Sequence, residues 1–581
     1  MSPGASRVEN AEVARIFREV AELLDIQGAN AFRIRAYRNA ARAIEEWPAP
    51  IGPMARKQPA QLTDIPGIGA DLAGKIGEIV KTGRLHLLAE LARASPRGAV
   101  ELLRVPGIGP RRARVLAEDA GVRTLEGLAR AARAGRLRGL PGFGARSEQA
   151  ILRHLAQPAA LGDHRMLRAT AVPYAQALVE HLRAVAPARA IEVAGSYRRR
   201  RDTVGDLDLL VASDTPKRVV ERFTSYPGVV EVMARGATRA AIRLASGLQV
   251  DLRVLAPACW GAGLYYFTGS KAHNIAVRKL AAARGLKVNE YGVWRGARQV
   301  GGAREQDVFD AVGLPWIPPE LREDRGEIEA AQAGTLPRLV EAKDLRGDLQ
   351  CHSTDSDGHD TLETMARAAE ERGYAYLAIT DHSPSVRVAQ GLDRRGFLAQ
   401  MRRIDRLNAK LKTLTVLKGA EVDIHADGTL DLDDDTLAAL DIVLVAIHSK
   451  FELPAREQTR RVVMALSHPS VDVFAHPTGR AIGRRAPVAF DLAAVVRAAL
   501  EHGVMLEVNA QPERLDLDDV RCRAAIEGGA RITIGSDAHS TDELALLPFG
   551  VDQARRGWAR QADVANTRPL AGLLKLLHGG R

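Results

Sequence analysis

The run Asp206-Leu-Asp-Leu-Leu-Val211 alternates acidic and apolar residues and then turns wholly apolar, a pattern that reads as a β-strand. Alternation sends Asp206 and Asp208 to one face of that strand, side by side. Two carboxylates so placed repel unless a cation lies between them. Mg²⁺ suits the position, being hard, oxygen-seeking and willing to leave sites open for phosphate. A third acid, Asp251, lies in a second alternating run, Leu248-Gln-Val-Asp-Leu-Arg-Val254. Three acids on adjacent strands are suited to holding two metals for in-line nucleotidyl transfer. Gly195-Ser196, set off from Asp206 by nine residues, and Gly205 offer backbone N–H groups and a hydroxyl to a triphosphate. An isolated D-x-D marks many solvated strand edges. The upstream Gly-Ser, the arginines at 198–201 and the third strand acid carry this one further.

At 581 residues the chain exceeds a single core and implies roughly three to five domains. Aromatic residues make up only 4%, so the cores must rest on Leu, Val, Ile and Ala. There is neither a long apolar run nor a charged-then-apolar start, so no membrane span or signal peptide is expected. Cys259, Cys351 and Cys522 lie too far apart for a disulfide framework, which fits a reducing cytoplasm.

The net charge of +11 is unevenly spread. Residues 1–160 carry 25 Lys and Arg against 16 Asp and Glu, whereas 342–581 carry 31 against 35. The first two-thirds is therefore the expected polyanion footprint. Its beginning reads as all-helical, with amphipathic helices predicted over 11–24 and 30–47. A short motif then recurs as Pro66-Gly-Ile-Gly69, Pro106-Gly-Ile-Gly109 and Pro141-Gly-Phe-Gly144. Each copy looks like the turn of a helix-hairpin-helix unit, whose glycines allow a tight bend and whose next helix presents N–H groups to a phosphate. Gly67, Gly69, Gly107 and Gly109 are the expected DNA contacts.

From about Asp348 the character changes. Helical stretches alternate with short apolar runs at 376–380, 414–417, 442–447, 471–474, 504–508 and 532–534. That rhythm implies parallel strands with crossover helices, and so many strands imply a barrel. Ten of the fifteen histidines fall in 342–581, many of them just after those runs. Side chains at strand C-termini converge on one barrel face. His352, Asp357, His382, Glu421, His448, His476, Asp537 and His539 form such a set, and mixed imidazole and carboxylate suits Zn²⁺ or Mn²⁺.

These motifs together resemble two families. Gly-Ser-Tyr-Arg-Arg with Gly205-Asp-Leu-Asp208, Val250-Asp-Leu-Arg253, Tyr265-Tyr-Phe-Thr-Gly-Ser-Lys-Ala-His-Asn-Ile-Ala-Val-Arg278 and Val288-Asn-Glu-Tyr291 are similar to the palm and thumb of family X DNA polymerases. The resemblance implies that Asp206, Asp208 and Asp251 bind the catalytic metals and that Ser196 and Arg199 bind the incoming triphosphate. It also implies that Tyr266, Phe267 and Gly269 pack on the nucleotide sugar and that Asn274 and Arg278 reach the minor groove. The family usually has Gly where this chain has Arg200. Lys75-Ile-Gly-Glu-Ile-Val-Lys-Thr-Gly-Arg84 resembles the N-terminal domain of the beta-type polymerase, where the lysine matching Lys75 forms a Schiff base with an abasic sugar and Tyr37 has a counterpart. Asp71 replaces a phosphate-binding lysine of that domain. The histidine-rich last third resembles the PHP metallophosphoesterase domain, whose nine ligands hold three metals. Gln350 stands where the first ligand, the leading His of H-x-H, is expected.

The chain is thus identified as a member of the bacterial-type family X polymerases with a C-terminal PHP domain. The implied architecture is an all-α helix-hairpin-helix N-terminal region (1–95 and 96–160), an α/β nucleotidyltransferase palm (161–260) and an α/β thumb (261–320). A charged connector (321–344) then leads to a distorted α/β, TIM-like PHP barrel (345–581). The implied function is DNA-directed short-gap filling in repair, on gapped or primed DNA with deoxynucleoside triphosphates, by a cytoplasmic monomer. The PHP domain adds 3′–5′ exonuclease action and abasic-site cleavage. Three alternatives stand beside this: a structural PHP domain, a nucleotidyltransferase acting on RNA or small molecules, and a noncatalytic DNA-binding scaffold.

Overall fold

The computed structural model describes residues 10–45, 47, 51–94, 102, 108, 110–141, 143–144, 148, 151, 165–183, 189–386 and 389–577. The chain divides into two compact units, Met1–His164 and Arg165–Arg581.

The first unit is helical. Helices Asn10–Ile26 and Ala31–Glu45 match the two amphipathic runs expected there. Val13, Phe17, Val20 and Leu24 recur at helical spacing and bury one face against Ile34, Tyr37 and Ile44. Ile76 and Ile79 of helix Ala70–Thr82 complete that core. Gly67 has φ +82 and Gly69 caps the helix that follows, so the first hairpin turn uses the left-handed backbone that glycine permits. Gly107 and Gly109 of the second copy lie outside the described residues. Helices Pro110–Glu118 and Leu125–Arg133 form a second helical cluster around Leu116, Leu128 and Ile151.

The second unit begins with a mixed five-stranded sheet. Strand Asp206–Ala212 lies between Ala190–Val193, antiparallel, and Gln249–Leu255, parallel. Arg239–Leu244 and Val229–Arg235 continue the sheet antiparallel. Its apolar positions, Leu207, Leu209, Val211, Val250 and Leu252, pack on helices Arg168–Arg183 and Pro216–Thr224. Helices Trp260–Thr268 and Lys271–Ala283 then pack near a small sheet of Lys287–Asn289, Gly292–Arg295 and Arg298–Gly301. The stretch 321–344, charged as it is, is packed: Arg322 and Glu327 are fully buried, and Leu339 and Val340 join hydrophobic cores.

The last part is a seven-stranded parallel barrel, in sequence order from Gly347–Cys351 to Ile532–Gly535. The first and last strands meet. Asp537 N–H donates to Gln350 O at 3.0 Å and His352 N–H to Ala538 O at 2.8 Å. Six strands follow the apolar runs seen in the sequence. The seventh, Gly347–Cys351, is broken by Asp348 and Gln350, both fully buried, so hydropathy alone does not mark it.

Candidate active sites

Parallel pairing sets Asp208 opposite Asp251 on the neighbouring strand, with Asp206 two residues before Asp208 on the same face. Burial, then the charges of Asp206 and Asp251, pushes the Asp208 carboxyl up to about 7. Asp206 is also raised, by burial and by Asp251. Such a cluster is short of positive charge, and its all-oxygen donor set fits Mg²⁺. Gly195, at φ +60, lies so close that a Cβ there would run into the Asp208 carboxylate, so the Gly-Ser turn must begin with glycine. Ser196 follows in the short helix Gly195–Arg198.

The first two arginines after Ser196 are tied into the protein. Arg198 forks onto Glu305 at 2.6 and 2.9 Å. Arg199 donates to Glu323 at 3.1 Å and to Thr268 O, so its guanidinium is tied back into the protein. Arg200 keeps a left-handed backbone, φ +58, at the position where the family usually has glycine. Arg556, from the barrel helix Leu547–Arg556, donates to Arg199 O at 2.7 Å, to Glu323 at 3.2 Å and to Asp519. From the same helix Asp552 pairs with Arg168 at 2.8 Å.

Helix Trp260–Thr268 carries Tyr266 and Phe267, edge to face at 5.3 Å, and ends at Gly269 with φ +71. Asn274 donates to Tyr266 O at 2.8 Å, and Arg278 is exposed one turn further along its helix. Two residues beyond the expected set belong to this neighbourhood. Arg253 lies 5.4 Å from the Phe267 ring and draws the Asp208 carboxyl downward, and Arg165 does the same for Asp206 from beside Gly205. In the first unit Lys75 is ion-paired with Asp71, and Tyr37 is 2% exposed, edge-on to Phe17 at 5.4 Å.

The barrel's strand ends gather all eight expected ligands. Three overlapping groups emerge: His352, Asp357, His382 and His539; His382, Glu421 and His448; and His352, Glu421 and Asp537. His476 Nε2 reaches Glu421 at 2.7 Å. His352 stacks between His382 at 4.6 Å and His539 at 4.3 Å. The Nδ1 atoms of His352, His382, His448 and His476 are buried with no hydrogen-bond partner among the described residues, and orphaned imidazole nitrogens beside carboxylates fit divalent ions such as Zn²⁺ or Mn²⁺. His476 and Asp537 have positive φ, 27° and 53°, so two of the ligands sit on strained backbone.

Gln350 faces the same centre. Its Nε2 donates to Glu421 at 3.0 Å, where a histidine would offer a lone pair. Sequence reasoning passed over Glu507 and Asn509, at the end of strand Met505–Asn509, although polar residues in an otherwise apolar run are a signal. Asn509 donates to Asp537 at 3.1 Å and to Glu507 at 3.2 Å. Burial, then Asp537, pushes the Glu507 carboxyl well above the usual range.

A palm whose adjacent strands carry three acids and a parallel barrel whose strand ends gather imidazoles and carboxylates, in one chain, define the class, a DNA polymerase fused to a PHP domain. Residues 165–240 match DNA polymerase beta palm, 263–323 DNA polymerase beta thumb and 348–511 PHP domain. Residues 8–85 match a helix-hairpin-helix domain and 99–157 a SAM-like helix-hairpin-helix tandem. The chain is 37% identical, over 96% of its own length and 97% of the other, to DNA polymerase/3′-5′ exonuclease PolX of Bacillus subtilis (strain 168). The chain is also 32% identical to a probable phosphatase of Thermoanaerobacter sp. (strain X514), over 38% of this chain and 90% of that one. The chain belongs to the family X DNA polymerases that carry a C-terminal PHP domain. Among the described residues no helix is long and apolar enough to cross a membrane.

Proposed function

We propose that this DNA polymerase fills short gaps during repair and trims 3′ ends in its PHP domain, a reading supported by its likeness to the Bacillus DNA polymerase/3′-5′ exonuclease. The observation that carries the reading is the presence of two separately built sites, oxygen-only in the palm and largely imidazole in the barrel. What Mg²⁺ supplies at the first, and Zn²⁺ or Mn²⁺ at the second, is Lewis acidity and charge to offset the phosphate. Asp206, Asp208 and Asp251, brought together by the parallel register, would hold the palm ions, and Asp251 would help lower the pKa of the primer 3′-hydroxyl. Gly195, Ser196 and Gly205 would offer N–H groups and a hydroxyl to the triphosphate. Tyr266, Phe267 and Gly269 would pack on the sugar, and Asn274 and Arg278 would read the minor groove. At the barrel, His352, Asp357, His382, Glu421, His448, His476, Asp537 and His539 would hold ions and orient the scissile phosphodiester. Gapped or primed DNA and deoxynucleoside triphosphates are the substrates, with phosphates gripped at turns such as Gly67-Ile-Gly69.

The test uses one labelled gapped duplex and two variants. Asp206→Ala abolishes gap filling and keeps Mn²⁺-dependent nuclease action, whereas His448→Ala does the reverse. Loss of both activities in either variant would sink the two-site reading. A wild-type protein without nuclease action would favour a structural PHP domain.

A further inference from the structure

Between the palm and the barrel lies a cleft of about 480 Å³ that the polymerase and nuclease chemistries leave unused. One wall is Arg201, Asp202 and Thr203, which lead directly into the acid strand beginning at Asp206. The other is the loop 480–487, which begins four residues after the ligand His476 and carries Arg480, Arg484 and Arg485. Arg485 stacks at 4.0 Å on Phe451, itself three residues past the ligand His448. Each wall is therefore continuous in sequence with one of the two sites.

Four arginines and one aspartate line this cleft. Arg480 forms the floor, paired with Asp202 at 2.9 Å, and its Nε is buried without a hydrogen bond among the described residues. Arg201 stands 3.8 Å from Glu323 and remains partly exposed. Arg484 meets Glu513 at 3.0 Å in an exposed pair, the kind a phosphate displaces at little cost. Arg485 donates its Nε–H to Gly479 O at 2.7 Å and is otherwise exposed. Guanidinium forks in excess over carboxylates match phosphate oxygens. The volume is too small for a duplex and suits the backbone of one strand.

We propose that this cleft binds the phosphate backbone of a single DNA strand and leads a frayed primer 3′ end from the palm acids to the barrel site. The inference rests on the polymerase and nuclease reading above. Arg484→Ala/Arg485→Ala alters an exposed loop, and its effect is read on full-length protein in two ways. Fluorescence anisotropy with a primer–template bearing a short mismatched 3′ tail should show affinity falling about tenfold. The slope of log affinity against log salt should fall by about 1.4, for two single-strand phosphates lost. A fully paired primer should bind and be extended as before. With Mn²⁺, hydrolysis of bis-p-nitrophenyl phosphate should be unchanged while removal of the mismatched tail slows.

Unchanged affinity and slope for the frayed primer would overturn the proposal. So would parallel loss on the small ester, because the loop would then be shaping the barrel site rather than holding a strand. Inorganic pyrophosphate competing with the wild type as well as a short oligothymidylate does would also overturn it, as the cleft would then hold product rather than strand. If the wild type does not hydrolyse the small ester, the hydrolytic reading fails by itself, and the affinity measurements still decide the cleft.

Discussion

Arg556→Ala should loosen the triphosphate turn from a distance. Arg556 is fully buried in a helix of the barrel, yet it donates to Arg199 O and Glu323 on the polymerase side and to Asp519 on its own. Burial raises the Glu323 carboxyl, but Arg556, Arg199 and Arg201 outweigh it and hold that group at about 2 against an ordinary 4.5. A depressed carboxyl contributes stability that is fully present above pH 4.5 and lost as pH falls toward 2, here about 3 kcal/mol shared among its arginines. Asp519 is stranded as well, with Arg325 at 3.0 Å left to it. Breaking a buried pair from one side costs about 3–5 kcal/mol, and the surviving arginines place this case near the lower end, about 3 kcal/mol. For a unit of this size that is a melting temperature lower by about 3 °C at neutral pH. Calorimetry of the full-length protein measures it, and the gap between wild type and variant should narrow below pH 4.5. Steady-state insertion should show KM for the nucleotide rising more than kcat falls, with Arg556→Lys recovering part. A variant that melts with the wild type and inserts nucleotides with the same KM would refute the strut.

The remaining predictions concern single groups. Because Asp208 sits at about 7, protons compete with Mg²⁺, so Mg²⁺ affinity of the metal-free protein should fall as pH drops through 7, with proton release on binding; a pH-independent titration would contradict this. A raised carboxyl opposes folding once pH passes its ordinary 3.8, so Asp208→Asn should melt above wild type in EDTA at alkaline pH while losing insertion. Gln350→His replaces a donor to Glu421 with a ligand, and plasma emission analysis should find about one more transition-metal ion per chain along with faster nuclease action; an unchanged metal count would show that the amide is not what limits the site. Lys75 is engaged by Asp71, so borohydride should trap no adduct between the wild type and an abasic substrate; an adduct lost in Lys75→Ala would restore the lyase reading.

Sequence alone determined what each strand end carries. Period-two alternation placed Asp206 and Asp208 on one face, and apolar runs followed by histidine placed most of the barrel ligands, because both patterns are local consequences of strand geometry. The turn at Gly67 was equally legible, since glycine there answers a backbone demand that neighbours in sequence create. Pairings between distant elements were not legible. The alignment of Asp208 with Asp251 needed the parallel register of two strands separated by a helix and two further strands. The first barrel strand hid behind Asp348 and Gln350, whose polarity is explained only by buried partners from distant segments, Ser536 N–H for Asp348 and Glu421 for Gln350. That Arg199 is braced by Glu323 and Arg556, 124 and 357 residues away, could not be read from the motif around it. Charge and hydropathy along a chain report what each residue prefers. Which partner satisfies it depends on the packing of elements far apart in sequence, and only the tertiary structure decides that.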